Sequence, residues 1–262
     1  MVCDWGFNYI MLGHAVESID YNLPVDAVTR KPLFAFSCNR NVREGYDGPL
    51  LLADDDSPIS IDNISTKVGS KVKGIFDQKS RYGHAQHDAT ASGNITLEKD
   101  DKFFLSFDGE SYFNIPISQY LTQDVGVFVV CDPEGQGRAP VFSGTSSTHE
   151  LCFDVGSAYM RFDYYDLTEK EKLFGGIDSP DGKIGGYAGA YADDMLIEST
   201  SGSIGEGVRS KNLENIDTSS IGRSTEDYFN GKIYELLIFD FKVSSDAKEQ
   251  IFDDWRNYYS LT

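Results

Sequence analysis

Positive charge is what this sequence most lacks. Lysine and arginine together number 23 against 42 aspartates and glutamates, for a formal net charge of −19. Such a chain repels a phosphate backbone wherever it has no local basic patch. The densest basic stretch, Lys67 to Arg81, is interrupted by Asp77 and has none of the aromatic interleaving that stacks on bases. Nucleic acid and an anionic membrane surface are therefore not expected as partners. Cysteine is also scarce. Cys3, Cys38, Cys131 and Cys152 show no C-x-x-C spacing, which excludes a zinc knuckle and a redox pair. Buried free thiols are the first reading, and a disulfide between Cys131 and Cys152, placed in neighbouring predicted strands, is the alternative. Long apolar runs are missing too: no stretch approaches the ~18 residues of a membrane-spanning helix. Met1 to Gly13 carries Asp4 and lacks both a basic leader and an unbroken apolar run, so no signal peptide is expected and the chain reads as soluble and made in a cytoplasm.

Aromatic residues are plentiful: 17 Phe and 15 Tyr within a 40% hydrophobic fraction supply a sizeable core from residues that favour strands. From about residue 100 the pattern is strand, turn, strand. Lys102 to Phe107 ends at Asp108-Gly109, Tyr112 to Ile115 at Pro116, and Val125 to Cys131 at Asp132-Pro133. Many short strands separated by Gly, Pro and Asp turns predict an all-β sandwich or barrel. Lys232 to Phe239 has apolar residues on both parities, the pattern of a central strand covered on both faces. One helix follows. Ser244 or Ser245 caps it, Asp246 complements the helix dipole, and Ala247, Ile251, Trp255 and Tyr258 form its apolar stripe.

The first thirty residues differ. Trp5, Phe7, Tyr9, Ile10, Met11 and Leu12 occur without a period, and Pro24 and Pro32 punctuate an extended segment. Residues 1–30 are expected to form an anchoring arm that docks on another subunit of an assembly, and residues 31–262 the sandwich. The alternative is an edge strand within the chain's own sandwich.

Two stretches carry a family resemblance. Asn230 to Asp240 (NGKIYELLIFD), preceded by Ile221-Gly222-Arg223 and followed by the terminal helix, resembles the closing segment of concanavalin-A-like, laminin-G-like jelly-roll domains. Leu33 to Ser37 (LFAFS), Arg43 to Leu50 (REGYDGPL) and Ile75 to His87 (IFDQKSRYGHAQH) resemble the arabinofuranosidase-B-type catalytic domain as it recurs in bacteriophage virion proteins. After Pro49, where that family continues with a basic segment, this chain has Leu50 to Asp56, so the fold carries over and the catalytic carboxylates do not. The resemblance implies a concanavalin-A-like β-sandwich with one C-terminal helix in a virion. There it would be a non-enzymatic head-decoration or tail-fibre protein, oligomeric in the assembly, with a glycan-binding sandwich. The other reading is a glycoside hydrolase acting on arabinose-containing polysaccharide.

A retaining glycosidase needs two carboxyl groups about 5–5.5 Å apart. Glu150 with Asp154, and Glu226 with Asp227, lie near predicted strand ends, but nothing in their spacing sets them apart from solvated charges, so no catalytic residue is assigned. His84, His87 and Asp88 with Asp77 upstream are weighed as a transition-metal site, and Asp54 to Asp56 as a calcium site. Neither has dedicated ligand spacing, and no metal or cofactor is expected. Glu134 to Arg138 has glycines without the Lys-Ser/Thr of a phosphate loop. Sugar-binding sandwiches present flat rings beside hydrogen-bonding side chains. Tyr164, Tyr165, Tyr187 and Tyr191 are the candidates for that platform.

Overall fold

Turn residues at short intervals leave no room for long elements, and the described residues form seventeen strands and one α-helix. The computed structural model describes residues 32–40, 49–77, 88–117, 124–135, 137–144, 149–154, 159–165, 170–176, 182–191, 194–202, 204–208, 219–225 and 227–261. The first strands are β1 (Phe34–Ser37), β2 (Leu51–Ala53), β3 (Pro58–Ile59), β4 (Lys71–Ile75), β5 (Ala89–Lys99), β6 (Phe103–Asp108) and β7 (Tyr112–Ile115). Next come β8 (Val125–Pro133), β9 (Arg138–Gly144), β10 (His149–Asp154), β11 (Tyr159–Tyr165) and β12 (Lys170–Gly176). The last are β13 (Ile184–Tyr191), β14 (Asp194–Ser199), β15 (Ile204–Val208), β16 (Ser219–Ile221) and β17 (Asn230–Phe239), followed by α1 (Ser245–Tyr259).

All pairings are antiparallel, and the strands form two layers joined through β5. One layer runs β15, β14, β13, β8 and β17, with β6 and β1 sharing the far side of β17. The other runs β3, β2, β4, β5, β7, β16, β9, β10, β11 and β12. Thr90 to Ser92 of β5 pair with β7, whereas Thr96 to Lys99 pair with β6, so this strand turns the corner between layers. Gly93 makes the corner possible. Its φ is +97°, and a Cβ there would collide with Ser111, whose Oγ accepts the Asn94 N–H at 2.6 Å. The predicted all-β jelly-roll sandwich with one C-terminal helix is the fold.

Between the layers lies the main core, which includes Phe36, Phe107, Phe113, Val129, Phe142, Leu151, Ile221 and Leu236. A second core lies outside it, where α1 covers the back of the β8–β17 layer and Phe128, Tyr187, Phe239, Phe252 and Trp255 pack together. As its two-sided apolar pattern predicts, β17 is central and buried on both faces. A bulge shifts its register between Ile233 and Glu235. Tyr234 packs with the helix-side core and Glu235 bonds to helix residues, whereas Ile233 and Leu236 belong to the main core.

Helix α1 begins where expected: Ser244 Oγ accepts the Ala247 N–H at 3.3 Å, and Ser260 ends the helix in the left-handed region. The buried stripe is Ala247, Ile251, Phe252, Trp255 and Tyr259, so Tyr259 takes the core place expected of Tyr258. A step of four from Trp255 stays under the stripe, and the step of three moves Tyr258 to its margin. The helix is tied down by a buried ion pair. Arg40 Nε and Nη2 fork onto Glu235 at 3.0 and 3.1 Å, and Nη2 also reaches Asp254 at 2.7 Å. Trp255 Nε1 and Tyr259 Oη donate to the same Glu235 carboxylate at 2.9 and 2.8 Å. Burial pushes the Glu235 pKa upward, and the hydrogen bonds from Trp255 and Tyr259 oppose it.

Cys131 and Cys152 are not in neighbouring strands, contrary to the expectation. β8 is flanked by β13 and β17, and β10 by β9 and β11, so the two lie in different layers. Both are buried free thiols, as is Cys38. The arm residues Trp5, Phe7, Tyr9, Ile10, Met11 and Leu12 lie outside the described residues.

Candidate functional site

The outer face of the second layer carries a polar row that the main core does not use. Thr90, Asn114, Ser220 and Ser143 are successive register partners across β5, β7, β16 and β9. The adjacent row, Ala91, Phe113, Ile221, Phe142 and Leu151, faces inward. Alternation therefore puts polar side chains on one face of this layer and apolar ones on the other.

A short hairpin after β16 folds over one end of this row. Gly222 turns the chain with φ +85°, where a Cβ would strike Phe107. Arg223 bridges to Tyr228, the Phe229 N–H returns to the Gly222 carbonyl at 2.8 Å, and Ser224 Oγ accepts the Asp227 N–H at 3.1 Å. The Ser143 hydroxyl donates to the Arg223 carbonyl, which fastens the hairpin to β9. Phe229 points into the core edge-on to Phe107 at 5.6 Å. Its neighbour Tyr228 is thereby turned outward and is 39% exposed.

Tyr228 meets Tyr112 of β7 with ring centroids 6.1 Å apart and planes inclined at 51°. The Arg223 guanidinium sits over the Tyr112 ring, 4.5 Å from its centroid. The Ser92 hydroxyl draws the Tyr112 pKa down, burial opposes it, and Arg223 and Asn114 add to the lowering. Arg138 at the start of β9 forms an ion pair with Asp227 of the hairpin at 3.5 Å. The corner thus combines two inclined tyrosines, a stacked guanidinium, an Arg–Asp pair, and the exposed Asn114 and Thr90. It offers flat apolar surface beside hydrogen-bonding groups of both senses.

Of the tyrosines expected from sequence, Tyr187 is the one whose side chain is described. Tyr187 is fully buried, 4.3 Å from Phe128, with the Lys248 ammonium over its ring at 5.2 Å. It is a core residue beneath α1 and presents no ring to a ligand, because the helix covers the face that strand alternation leaves open. Tyr164 and Tyr165 belong to β11 in one layer and Tyr191 to β13 in the other, and their side chains lie outside the described part. The corner tyrosines and Arg223 were missed, although one signal was available. In Arg223 to Phe229 a polar turn separates two flanks, and a buried Phe229 forces Tyr228 outward.

Asp227 is tied to Arg138, and Glu226 lies outside the described residues. Glu150 and Asp154 are placed only by backbone, at opposite ends of the β10 register with β11. The acidic turn spends its charges locally: Asp55 accepts from the Ser57 N–H at 3.0 Å and Asp56 pairs with Lys73. The Ser57 hydrogen bonds hold the Asp55 pKa below its ordinary value. Asp77 accepts the Ala35 N–H and Asp88 accepts the Asp77 N–H, both at 3.1 Å, while His84 and His87 lie outside the described residues. Among the described residues no group of three or more His, Cys, Asp or Glu is placed to hold a metal ion, and no helix is long and apolar enough to cross a membrane.

No family model matches the chain and no curated protein matches it, so the arabinofuranosidase-B resemblance remains one of short stretches. Solved structures do match. Domain 4 of the extracellular GH43 arabinanase AbnA from Geobacillus stearothermophilus, solved in complex with arabinotriose, is 11% identical, with TM-score 0.52 over 85% of this chain and 97% of that domain. The receptor-binding domain of botulinum neurotoxin mosaic serotype C/D is 9% identical, with TM-score 0.54 over 87% of this chain and 51% of that one. A botulinum neurotoxin type C structure, described with cell entry dependent on two ganglioside molecules, is 11% identical, with TM-score 0.52 over 73% of this chain and 52% of that one. The chain spans about half the length of the neurotoxin chains and nearly all of the arabinanase domain. These likenesses establish the fold as a β-sandwich.

Proposed function

We propose that this chain is a non-enzymatic glycan-binding module whose sugar face is the Tyr112–Arg223–Tyr228 corner. The observation that carries the reading is the outward Tyr228 ring, 39% exposed and inclined toward Tyr112 beside Arg223. Apolar C–H faces of a sugar pack on such rings, and Asn114, Ser92, Thr90 and Asp227 supply partners for its hydroxyls. Neighbours of the same fold described with arabinotriose and gangliosides support the choice of a glycan. The aromatic segment Trp5 to Leu12 would then anchor the sandwich to other subunits, as a head decoration or fibre of a bacteriophage virion, and this placement rests on the sequence resemblance.

Screening the full chain on a glycan array, then measuring the best binder by calorimetry, tests the reading. Tyr228→Ala and Tyr112→Ala are each expected to weaken binding tenfold or more, about 1.4 kcal/mol. Undiminished binding by both variants would overturn the assignment of the face. Release of reducing sugar by the purified protein would overturn its non-enzymatic character.

A further inference from the structure

Arginines whose ion pairs are described have partners inside the chain: Arg40 with Glu235 and Asp254, Arg138 with Asp227, and Arg256 with Glu249 and Asp253. In a protein of net charge −19, an intramolecular carboxylate is the expected fate of an arginine. Arg223 departs from this. Its side chain lies against the Tyr112 ring at 4.5 Å and its cation adds to the lowering of the Tyr112 hydroxyl pKa, and among the described residues no carboxylate pairs with it. It is held over the ring beside Tyr228, the most exposed aromatic side chain among the described residues. The carboxylate of Asp227, on the same hairpin, is paired with Arg138.

We propose that the corner selects sugars that carry a carboxylate, with the acid taken by Arg223 and the sugar ring laid on Tyr228; this rests on the glycan-binding reading above. A planar guanidinium fork matches a carboxylate in bidentate geometry, and a charged acceptor makes the stronger hydrogen bond. Stacking on Tyr112 limits the orientations open to the fork, so less freedom is lost on binding. The surrounding negative field raises the requirement. An acidic sugar approaches a repelling protein and binds only where the local cations outweigh that repulsion, which gives a single docking point. Uronic acids and nine-carbon keto acids share the carboxylate chemistry, and both are arms of the test.

Oligogalacturonide and a sialylated oligosaccharide, each as free acid and as methyl ester, are titrated into the full chain by calorimetry at low and high salt. The ester keeps the shape of the ligand and removes its charge. The wild-type chain is expected to favour at least one free acid over its ester by tenfold or more, with the preference shrinking at high salt. Arg223→Gln is expected to reduce the ratio to near one, and Arg223→Lys to retain part of it, both with unchanged melting temperature. Equal binding of acid and ester by the wild type would overturn the acid selectivity while leaving glycan binding standing, and so would a preference that survives in Arg223→Gln. Failure of the array and of every titration to show binding would overturn both.

Discussion

Among the described residues two arginines stack on tyrosine, and they are finished differently. Arg40 lies 4.4 Å from the Tyr258 centroid and Arg223 lies 4.5 Å from that of Tyr112, so the stacking itself is the same. Arg40 is 1% exposed and forks onto the fully buried Glu235, whose oxygens also accept from Trp255 and Tyr259. That arrangement is closed around the carboxylate: a buried charge without its partner is costly, and both Glu235 oxygens are matched to donors. Arg223 is only partly buried and has no described carboxylate, a condition that solvent makes tolerable and that leaves a fork for something outside the chain. The closed cluster fixes the fold and the open one is available for binding.

Breaking the closed cluster has the largest expected effect. Arg40→Ala leaves the Glu235 carboxylate buried without its cation and is expected to cost about 3–5 kcal/mol, read as a lower urea midpoint. Combining Arg40→Met with Glu235→Leu recovers most of the loss, because apolar residues of similar volume remove both charges together. A single-variant cost below about 1 kcal/mol would mean that the pair does not hold β17 to the helix. Tyr187→Ala, in the core beneath α1, is expected to cost about 3–4 kcal/mol without changing glycan affinity in the folded fraction. A selective loss of affinity in that variant would return Tyr187 to the sugar face. Ser244→Ala removes the helix cap and should lower stability by about 1 kcal/mol.

A smaller effect belongs to the rim of the first layer. Asp100 accepts from the Tyr234 hydroxyl at 2.8 Å and lies near Lys183 and Lys232 at 3.8 and 3.6 Å. Burial acts to raise its pKa, but the Lys102 N–H, Asp101, Tyr234 and Lys183 outweigh it and hold the carboxyl well below the ordinary carboxylate range. A depressed folded pKa gives stability that is complete above the unfolded value near about 4 and is lost as pH falls toward the folded value. Asp100→Asn is therefore expected to flatten the fall in melting temperature below about pH 4.5, and an unchanged acid limb would contradict this assignment.

Where one element decides, the sequence was legible. The two-sided apolar run of Lys232 to Phe239 marked a central strand, and Ser244 with Ala247, Ile251 and Trp255 marked a capped helix on the sheet. Where distant segments decide, it was not. The bulge that sets Tyr234 beside Glu235 depends on the register with β8, which strict alternation does not reveal. Tyr187 looks half-exposed by its own strand and is buried only because a helix from the far end of the chain covers it. Cys131 and Cys152 lie on strands close in sequence, yet β8 and β10 belong to different layers. The binding corner was hidden for the same reason: Tyr112 and Tyr228 meet only through a hairpin whose partners are far apart in sequence.

Amide chemical-shift mapping of the isotopically labelled chain, titrated with the tightest-binding glycan from the array, tests the central claim most directly. The largest shifts are predicted at Ser92, Tyr112, Asn114, Arg223 and Tyr228, with Tyr187, Trp255 and Glu235 unmoved. Shifts centred on β11, on the end of β13 or on the helix, with the Tyr112–Tyr228 corner silent, would contradict it.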